Sequence, residues 1–406
     1  MKPELLIPAG SLDILYTAVR YGADAVYIGG ESLSLRAKAR NFTIGEIEQG
    51  IEYARHHGVK VYIATNIVAR NADLEEARAF FLSLALVNPD ALIITDPGLF
   101  SIARSVCPDI PIHISTQANN TNYGTYRFWH EQGAERAVAA RELDLDEIKT
   151  IRANIPATMA IECFVHGAMC VSYSGRCLLS NYLTGRDANR GECTHPCRWQ
   201  YVVMEKSRPG AYLPLDEDED GTYLFSSHDL CMIGHLPDLI SAGIDSFKVE
   251  GRMKSSLYIA TITRAYRRAI DDYFHSPSRY QKNREWYIAE VNKTSHRHYS
   301  TGFFYGNPEQ GSELDEGGQY LREAVYIGTV AAVDPIHGVR IEQKNKFSVG
   351  EQLEIMKPCG SDITAIVTGI TDENGKEQCD APHARQTIYL SLTATPEAGD
   401  VLRRVE

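Results

Sequence analysis

Five of the chain's nine cysteines fall in one stretch. Cys163, Cys170, Cys177, Cys193 and Cys197 lie within "ECFVHGAMCVSYSGRCLLSNYLTGRDANRGECTHPC", Glu162 to Cys197. The last four are spaced C-x6-C-x15-C-x3-C. Four thiolates can hold either a zinc ion or an iron–sulfur cluster. Structural zinc usually takes two tight cysteine knuckles, and only the second pair here is tight. The wide first spacing therefore leans towards a [4Fe-4S] cluster, with Zn as the alternative. Cys231, in "FSSHDLCMI", competes with Cys197 for the fourth position. Cys163 reads as a small buried residue inside a strand. Cys107, Cys359 and Cys379 have no partner in sequence and read as structural. An odd count argues against a fully paired disulfide framework. The opening "MKPELLIPAG" lacks a charged region followed by an apolar one, so the expected location is cytoplasmic, where clustered thiols serve metals or redox chemistry.

These thiols need a scaffold. Over the first 270 or so residues, short apolar β-branched runs alternate with amphipathic helical patterns. The runs are "ELLIPAG", "ADAVYIGG", "VKVYIATN", "ALIITD", "IPIHISTQ", "AERAVAA" and "ATMAIECF". Continuous apolar runs of this length suit parallel strands buried on both faces. Between them lie helices such as "TIGEIEQGIEYARHHG", with Thr43 as N-cap, Glu46 three residues on and Gly58 at the end. An eighth strand, "IDSFKVEG", follows the cysteine-rich insertion. The pattern predicts an α/β, TIM-barrel-like (β/α)8 domain over 1–275 with the Cys-rich insertion at about 163–230. A doubly wound open sheet is the alternative, weakened because no GxGxxG follows the first strand. Residues 276–320 read as a linker or extended wrap. Residues 321–406, with short alternating strands broken by turns, read as a small C-terminal all-β barrel.

A TIM barrel carries its site at the C-terminal ends of its strands. Read off the sequence, those ends are Gly10, Gly29, Gly30, Asn66, Asp96, Gln117, Arg141, Glu162 and Glu250, and the insertion leaves the seventh strand at the same end. The formal net charge of −12 disfavours nucleic-acid binding by the chain as a whole. Local basic patches remain: "LRAKARNF" carries Arg36, Lys38 and Arg40, and "FKVEGRMK" carries Lys248, Arg252 and Lys254. The acidic run "DEDED" at 216–220 reads as a solvated loop. No run of about 18 or more apolar residues marks a membrane span.

From Glu162 to Ser180 the chain follows the pattern E-x-F-x-x-G-[SA]-[LIVM]-C-x4-G-x-C-x-[LIVM]-S without a miss. That pattern resembles the signature of the collagenase-like peptidase family U-32. "FKVEGRMKS" and the opening "LLIPAG…ADAVYIGG" look like that family too, and the resemblance covers the whole chain. The family was named for proteolysis, but the resemblance to its members of similar length with a C-terminal β-barrel implies oxygen-independent, iron–sulfur-dependent hydroxylation of the wobble uridine of tRNA to 5-hydroxyuridine. It implies tRNA as partner and prephenate, a dicarboxylate, as hydroxyl donor. The cluster ligands would be Cys170, Cys177, Cys193 and Cys197 or Cys231. On that reading Arg36, Arg40, Gln117, Arg141, Lys248 and Arg252 bind donor and RNA, since arginine offers bidentate geometry to both. Glu162 and Glu250 orient those cations or act as acid and base. His166 and Tyr173 stack on or hydrogen-bond to a base splayed from its helix.

Two other classes remain open. A peptidase would need a nucleophile elbow, an HExxH helix or a Cys–His pair. The first two are absent, and His166 near Cys170 is the one approach to the third. A non-catalytic RNA-binding scaffold would not require the polar strand ends. Another RNA or a quinone as substrate, and a homo- or hetero-oligomeric state, are left open by the sequence.

Overall fold

The computed structural model describes residues 2–31, 33–35, 41–170, 172–199, 216–218, 221–223, 228–306, 320–334 and 337–405. Arg36 and Arg40 lie outside the described residues.

The N-terminal domain alternates strand and helix: β1 (Glu4–Pro8), α1 (Leu12–Arg20), β2 (Ala25–Gly29), α2 (Ile44–His56), β3 (Lys60–Thr65), α3 (Leu74–Val87), β4 (Ala91–Ile94), α4 (Pro97–Val106), β5 (Ile112–Ile114), α5 (Tyr123–Glu131), β6 (Arg136–Val138), α6 (Leu145–Asn154) and β7 (Ala160–Ala168). After β7 come α7 (Leu179–Thr184), a short hairpin of β8 (Asp216–Asp218) and β9 (Gly221–Tyr223), β10 (Asp229–Cys231), α8 (Leu236–Ser241) and β11 (Ser246–Val249). The acidic run thus contributes a strand where a loop was expected. β1 to β7 pair in parallel in order, β11 pairs with β1, and a β11–β7 pairing closes the ring. This is the expected (β/α)8 barrel.

Period-two alternation builds it. Leu5, Ile7, Val26, Ile28, Val61 and Ile63 belong to the core shared with the helices. Their neighbours Leu6, Ala25, Tyr27, Tyr62, Ala91 and Ile93 form a separate cluster in the lumen. Helix α2 starts as the sequence predicts, with Thr43 and Glu46 in a reciprocal capping box. Strand β7 is longer than "ATMAIECF" suggested. Past a register shift opposite Lys248 and Val249 it runs on to Ala168, where it pairs antiparallel with β10.

Helix α9 (Ser256–His275) completes the eighth unit. The segment expected as a linker contains a helix. Residues Pro277–Asn292 form a helix, α10, capped by the Ser276 side chain. Its polar sequence hid the tyrosines that anchor it: Tyr280 donates to the Ile233 carbonyl at 2.8 Å and Tyr287 to Asp272 at 2.6 Å. Strand β12 (Tyr299–Ser300) then joins β10.

The second domain comprises β13 (Ala324–Asp334), β14 (Gly338–Gln343), β15 (Phe347–Ser348), β16 (Gln352–Met356), β17 (Ile363–Asp372), β18 (Glu377–Gln378), β19 (Asp380–Ala381), β20 (Thr387–Leu392) and β21 (Val401–Val405). Seven of these make an antiparallel sheet closed by a β16–β17 pairing, the expected all-β barrel with its own apolar core. It is packed firmly on the first domain. Glu290 of α10 accepts from Arg403 at 2.8 and 3.2 Å and from Arg264 at 2.5 Å, and Asp362 pairs with both arginines. A second contact joins Arg20 to Asp400 at 2.8 Å and Tyr21 to the Met356 carbonyl at 2.7 Å. Among the remaining cysteines, Cys107 and Cys163 are buried as expected, whereas Cys359 and Cys379 are exposed. No helix of the described residues is long and apolar enough to cross a membrane.

Candidate active site at the barrel mouth

The barrel interior carries charge at both levels, arranged differently. In the lower layer Glu162, with no exposed surface, accepts from Lys248 at 2.7 Å, Arg136 at 2.8 Å and Ser246 at 3.2 Å. Arg136 also reaches Glu4 at 2.6 Å. Burial alone would raise the Glu162 carboxyl, but Lys248 and Arg136 outweigh it and hold it at about 2. His113 stands beside this layer, held well below its ordinary value by burial and then by Arg136. Glu162 is in register with Ser246 and Val138, and Ser246 in turn with Glu4, the first residue of β1. The sequence reading put Glu162 at the catalytic end. The structure places it in the floor, because β7 runs six residues beyond it.

Above the floor, the Phe164 ring is shared by two cations, with Arg141 4.0 Å and Lys248 5.5 Å from its centroid. Lys248 also lies 4.6 Å from the Tyr27 ring. Lys248 thus links floor and mouth. Arg141 donates to the Ala168 carbonyl at 3.1 Å, and its Nε has no hydrogen-bond partner among the described residues. Arg252 is buried and donates to Ser34 at 2.6 Å. It lies across the ends of β1 and β2, where a side chain would collide with it. A Cβ on Gly29 would sit 2.3 Å from its Nη1, and one on Gly10 2.3 Å from its carbonyl oxygen. The two strand-end glycines are therefore space for Arg252. Glu250 is half-buried and accepts the Tyr258 hydroxyl through its backbone carbonyl at 2.9 Å.

The cysteine insertion roofs this mouth, tied down by loops that follow β3, β5 and β6. Glu142 accepts from both the Ser174 N–H at 2.5 Å and its hydroxyl at 2.7 Å. Ser174 is buried with a φ of 43°, a left-handed conformation that a non-glycine residue keeps only when its surroundings hold it there. Gln117 donates to the Gly175 carbonyl at 3.3 Å, and Arg176 returns a bond to the Gln117 carbonyl at 2.8 Å. Asp73 takes Arg190 in a two-pronged ion pair, and Arg70 pairs with Asp187 at 3.0 Å.

Inside the insertion, Asn189 clamps the Cys177 backbone from both sides, at 3.2 and 2.9 Å. The Ser180 hydroxyl joins α7 to Thr194, next to Cys193. The His195 N–H donates to the Cys193 sulfur at 3.4 Å, the kind of bond that tunes a thiolate ligand. Cys170 is exposed, Cys177 buried, Cys193 and Cys197 half-buried, and all are free thiols. Among the described residues no three His, Cys, Asp or Glu side chains converge as a formed metal set. The donor set is nevertheless all thiol, gathered in one pinned loop layer, and that chemistry fits a soft metal or an iron–sulfur cluster. Cys231 lies apart, opposite His166 in the β10–β7 pairing, its thiol pushed up to about 12 by burial despite bonds from Ile233 and Tyr266.

His166 is corrected as a base-contacting group. It is 1% exposed, enclosed by the rings of Tyr258, Tyr266 and Tyr299, and burial takes its imidazole down to about 3. The motif places it next to the cysteines in sequence, while the strand aims it at α9. Tyr173 is exposed on the insertion. The residues missed from sequence are Glu142, Ser174, Asn189, Asp73 and Arg190. Only the "YSG" turn between two cysteines hinted at one of them.

With this geometry in place, the chain can be compared with known proteins. Residues 10–314 match the family model "Peptidase family U32" and residues 322–403 match "Peptidase family U32 C-terminal domain". The chain is 39% identical over 406 residues to tRNA hydroxylation protein P1 of Bacillus subtilis, covering 99% of this chain and 95% of that one. It is 39% identical over 360 residues to an uncharacterized protease of Methanocaldococcus jannaschii, covering 87% and 86%. It is 35% identical over 308 residues to the 23S rRNA 5-hydroxycytidine C2501 synthase of Escherichia coli, covering 74% of this chain and 45% of that one. With the family model and its C-terminal-domain model matched in chain order, this protein belongs to peptidase family U32.

Proposed function

We propose that this protein hydroxylates RNA, and that its substrate is a tRNA wobble uridine converted to 5-hydroxyuridine. The observation that carries the reading is the chemistry of the mouth. Arg141 and Arg176 are oriented by backbone carbonyls and make no ion pair among the described residues. Two guanidinium groups so positioned keep their charge available for an anionic ligand. The relatives' names supply the reaction class, and a cationic mouth under a thiol-rich roof suits it.

Replacing the C5–H bond of a uridine by C5–OH is a two-electron oxidation. The oxygen donor must therefore accept two electrons as it gives up its hydroxyl group. A dicarboxylate such as prephenate suits Arg141 and Arg252 through paired carboxylate–guanidinium bonds, with Gln117 holding the roof at Gly175. Lys248, already committed to Glu162, fixes the lower wall together with Phe164 and Tyr27. Cys170, Cys177, Cys193 and Cys197 would hold the cluster, with Cys231 the competing fourth thiol. A [4Fe-4S] cluster held by four thiolates would supply one-electron transfer. Because binding free energy in such sites is also folding free energy, the four sulfurs would be drawn together as the cluster forms.

Proteolysis has no comparable support. His166, the histidine nearest the cysteines in sequence, is sealed behind the barrel wall by three tyrosines. The test is anaerobic purification with iron, sulfide and zinc counts on the wild type, Cys197→Ser and Cys231→Ser. Near four irons per chain, lost in one of the two variants, is expected and names the fourth ligand. Stoichiometric zinc, or no metal, contradicts the cluster.

A further inference from the structure

The insertion also presents an outer face that the site does not use. Leu178 is 79% and Tyr182 85% exposed, and the Tyr182 N–H bonds to the Leu178 carbonyl at 2.8 Å, which sets the two on one face of α7. Leu183 and Trp199 are exposed as well. Helix α7 packs on the turn Pro196–Arg198 that leads into Trp199. Exposed apolar groups gathered like this on one small element mark an interaction surface. The Ser180–Thr194 bonds beneath tie α7 to the segment that leads to Trp199.

We infer that this face is the stacking platform for unpaired RNA bases next to the one entering the barrel, an inference that rests on the RNA-hydroxylase reading. Two features select RNA as the occupant. The face belongs to the insertion that roofs the mouth, so nucleotides flanking an extruded base must pass beside it. Its rim carries two arginines, Arg176 exposed and Arg186 half-buried beside α7, against the one exposed carboxylate of Glu192, while Asp73 and Asp187 are taken by Arg190 and Arg70. The chain's net charge of −12 works against long-range attraction to a polyanion. Binding must then come from short-range stacking with a few local cations, which is what aromatic groups beside arginines provide.

The experiment measures the affinity of the full chain for unmodified tRNA and for a stem-loop RNA with unpaired loop uridines, across salt concentrations. Tyr182→Ala is expected to weaken both about tenfold or more with little change in salt dependence, since stacking is lost but no phosphate contact is. Arg186→Gln is expected to weaken both and to lower the salt slope by about one. The melting temperature and metal content of both variants should match the wild type. Wild-type affinity for RNA with undiminished binding by Tyr182→Ala overturns the inference alone. So does loss of self-association in Tyr182→Ala at unchanged RNA affinity, which would make the face a protein interface. No RNA binding by the wild type would overturn the functional reading beneath it.

Discussion

At the floor of the barrel Glu4, Arg136, Glu162 and Lys248 neutralise one another in a closed, buried network. At the mouth, Arg141 in the loop after β6 and Arg176 in the insertion after β7 are aimed by carbonyl oxygens and keep their charge for something else. Both ends use the same residue types. The difference is partnership. A buried charge with its counter-charge is structure, because removing either leaves the other stranded at high cost. A cation oriented by neutral groups is ready to accept an anion.

The largest effect should come from breaking the floor. Glu162→Ala leaves Lys248 and Arg136 facing each other without their shared carboxylate, and should cost about 3–5 kcal/mol in chemical denaturation. A mouth substitution such as Arg141→Gln should cost far less stability while reducing activity. Equal destabilisation by the two would erase the distinction between the ends.

Acid should find the floor as well. Glu162 and Glu290 are held at about 2 in the fold, below their ordinary 4.5. Their contribution is complete above about pH 4.5 and is lost as the pH falls through about 2. His166 adds an earlier step: its folded value of about 3 lies below its ordinary 6.5, so its contribution fades as the pH drops below about 6.5. Unfolding midpoints followed from pH 7 to 2 should fall first with the histidines and then with the carboxylates, and His166→Phe should shrink the early step, leaving the share of buried His113. A flat profile down to pH 3 would refute the assignment.

The domain junction should show an intermediate effect. Glu290→Ala removes one acceptor from Arg264 and Arg403, which keep Asp362 and, for Arg403, Glu354. A loss of about 2–3 kcal/mol is expected, with the C-terminal barrel becoming separately cleavable in limited proteolysis. The smallest stability change should follow Glu142→Ala. It takes the acceptor from Ser174, at a local cost of about 1–3 kcal/mol, and should speed alkylation of Cys170 and Cys177 while leaving the global midpoint nearly in place. A global collapse would make Glu142 part of the core rather than a tether of the roof.

Much of this was legible in the sequence. The strand runs and the Thr43 capping box carry local, periodic signals, and both survive into the fold. The cysteine spacing marked the insertion, and the strand-end glycines marked positions where backbone and Arg252 approach. Two kinds of information were not local. Glu162 looked like a strand end because the apolar run stops at Phe164, yet pairing with β10 carries β7 on to Ala168. His166 looked catalytic by its proximity to Cys170, but strand direction turned it into the tyrosine-lined wall. Helix α10 was hidden because its polar residues meet solvent and three rings, Tyr280, Trp286 and Tyr287, do much of the packing. The tethers of the roof, Glu142 and Asp73, come from loops remote in sequence and follow from the barrel's closure.

The central claim is tested most directly by nucleoside mass spectrometry on unmodified tRNA incubated anaerobically with the metal-loaded protein and a dicarboxylate hydroxyl donor. The account predicts the gain of one oxygen atom on a single uridine at the wobble position, lost in Cys193→Ser and in Arg141→Gln. Unchanged tRNA with active, fully loaded protein and the donor present would contradict it.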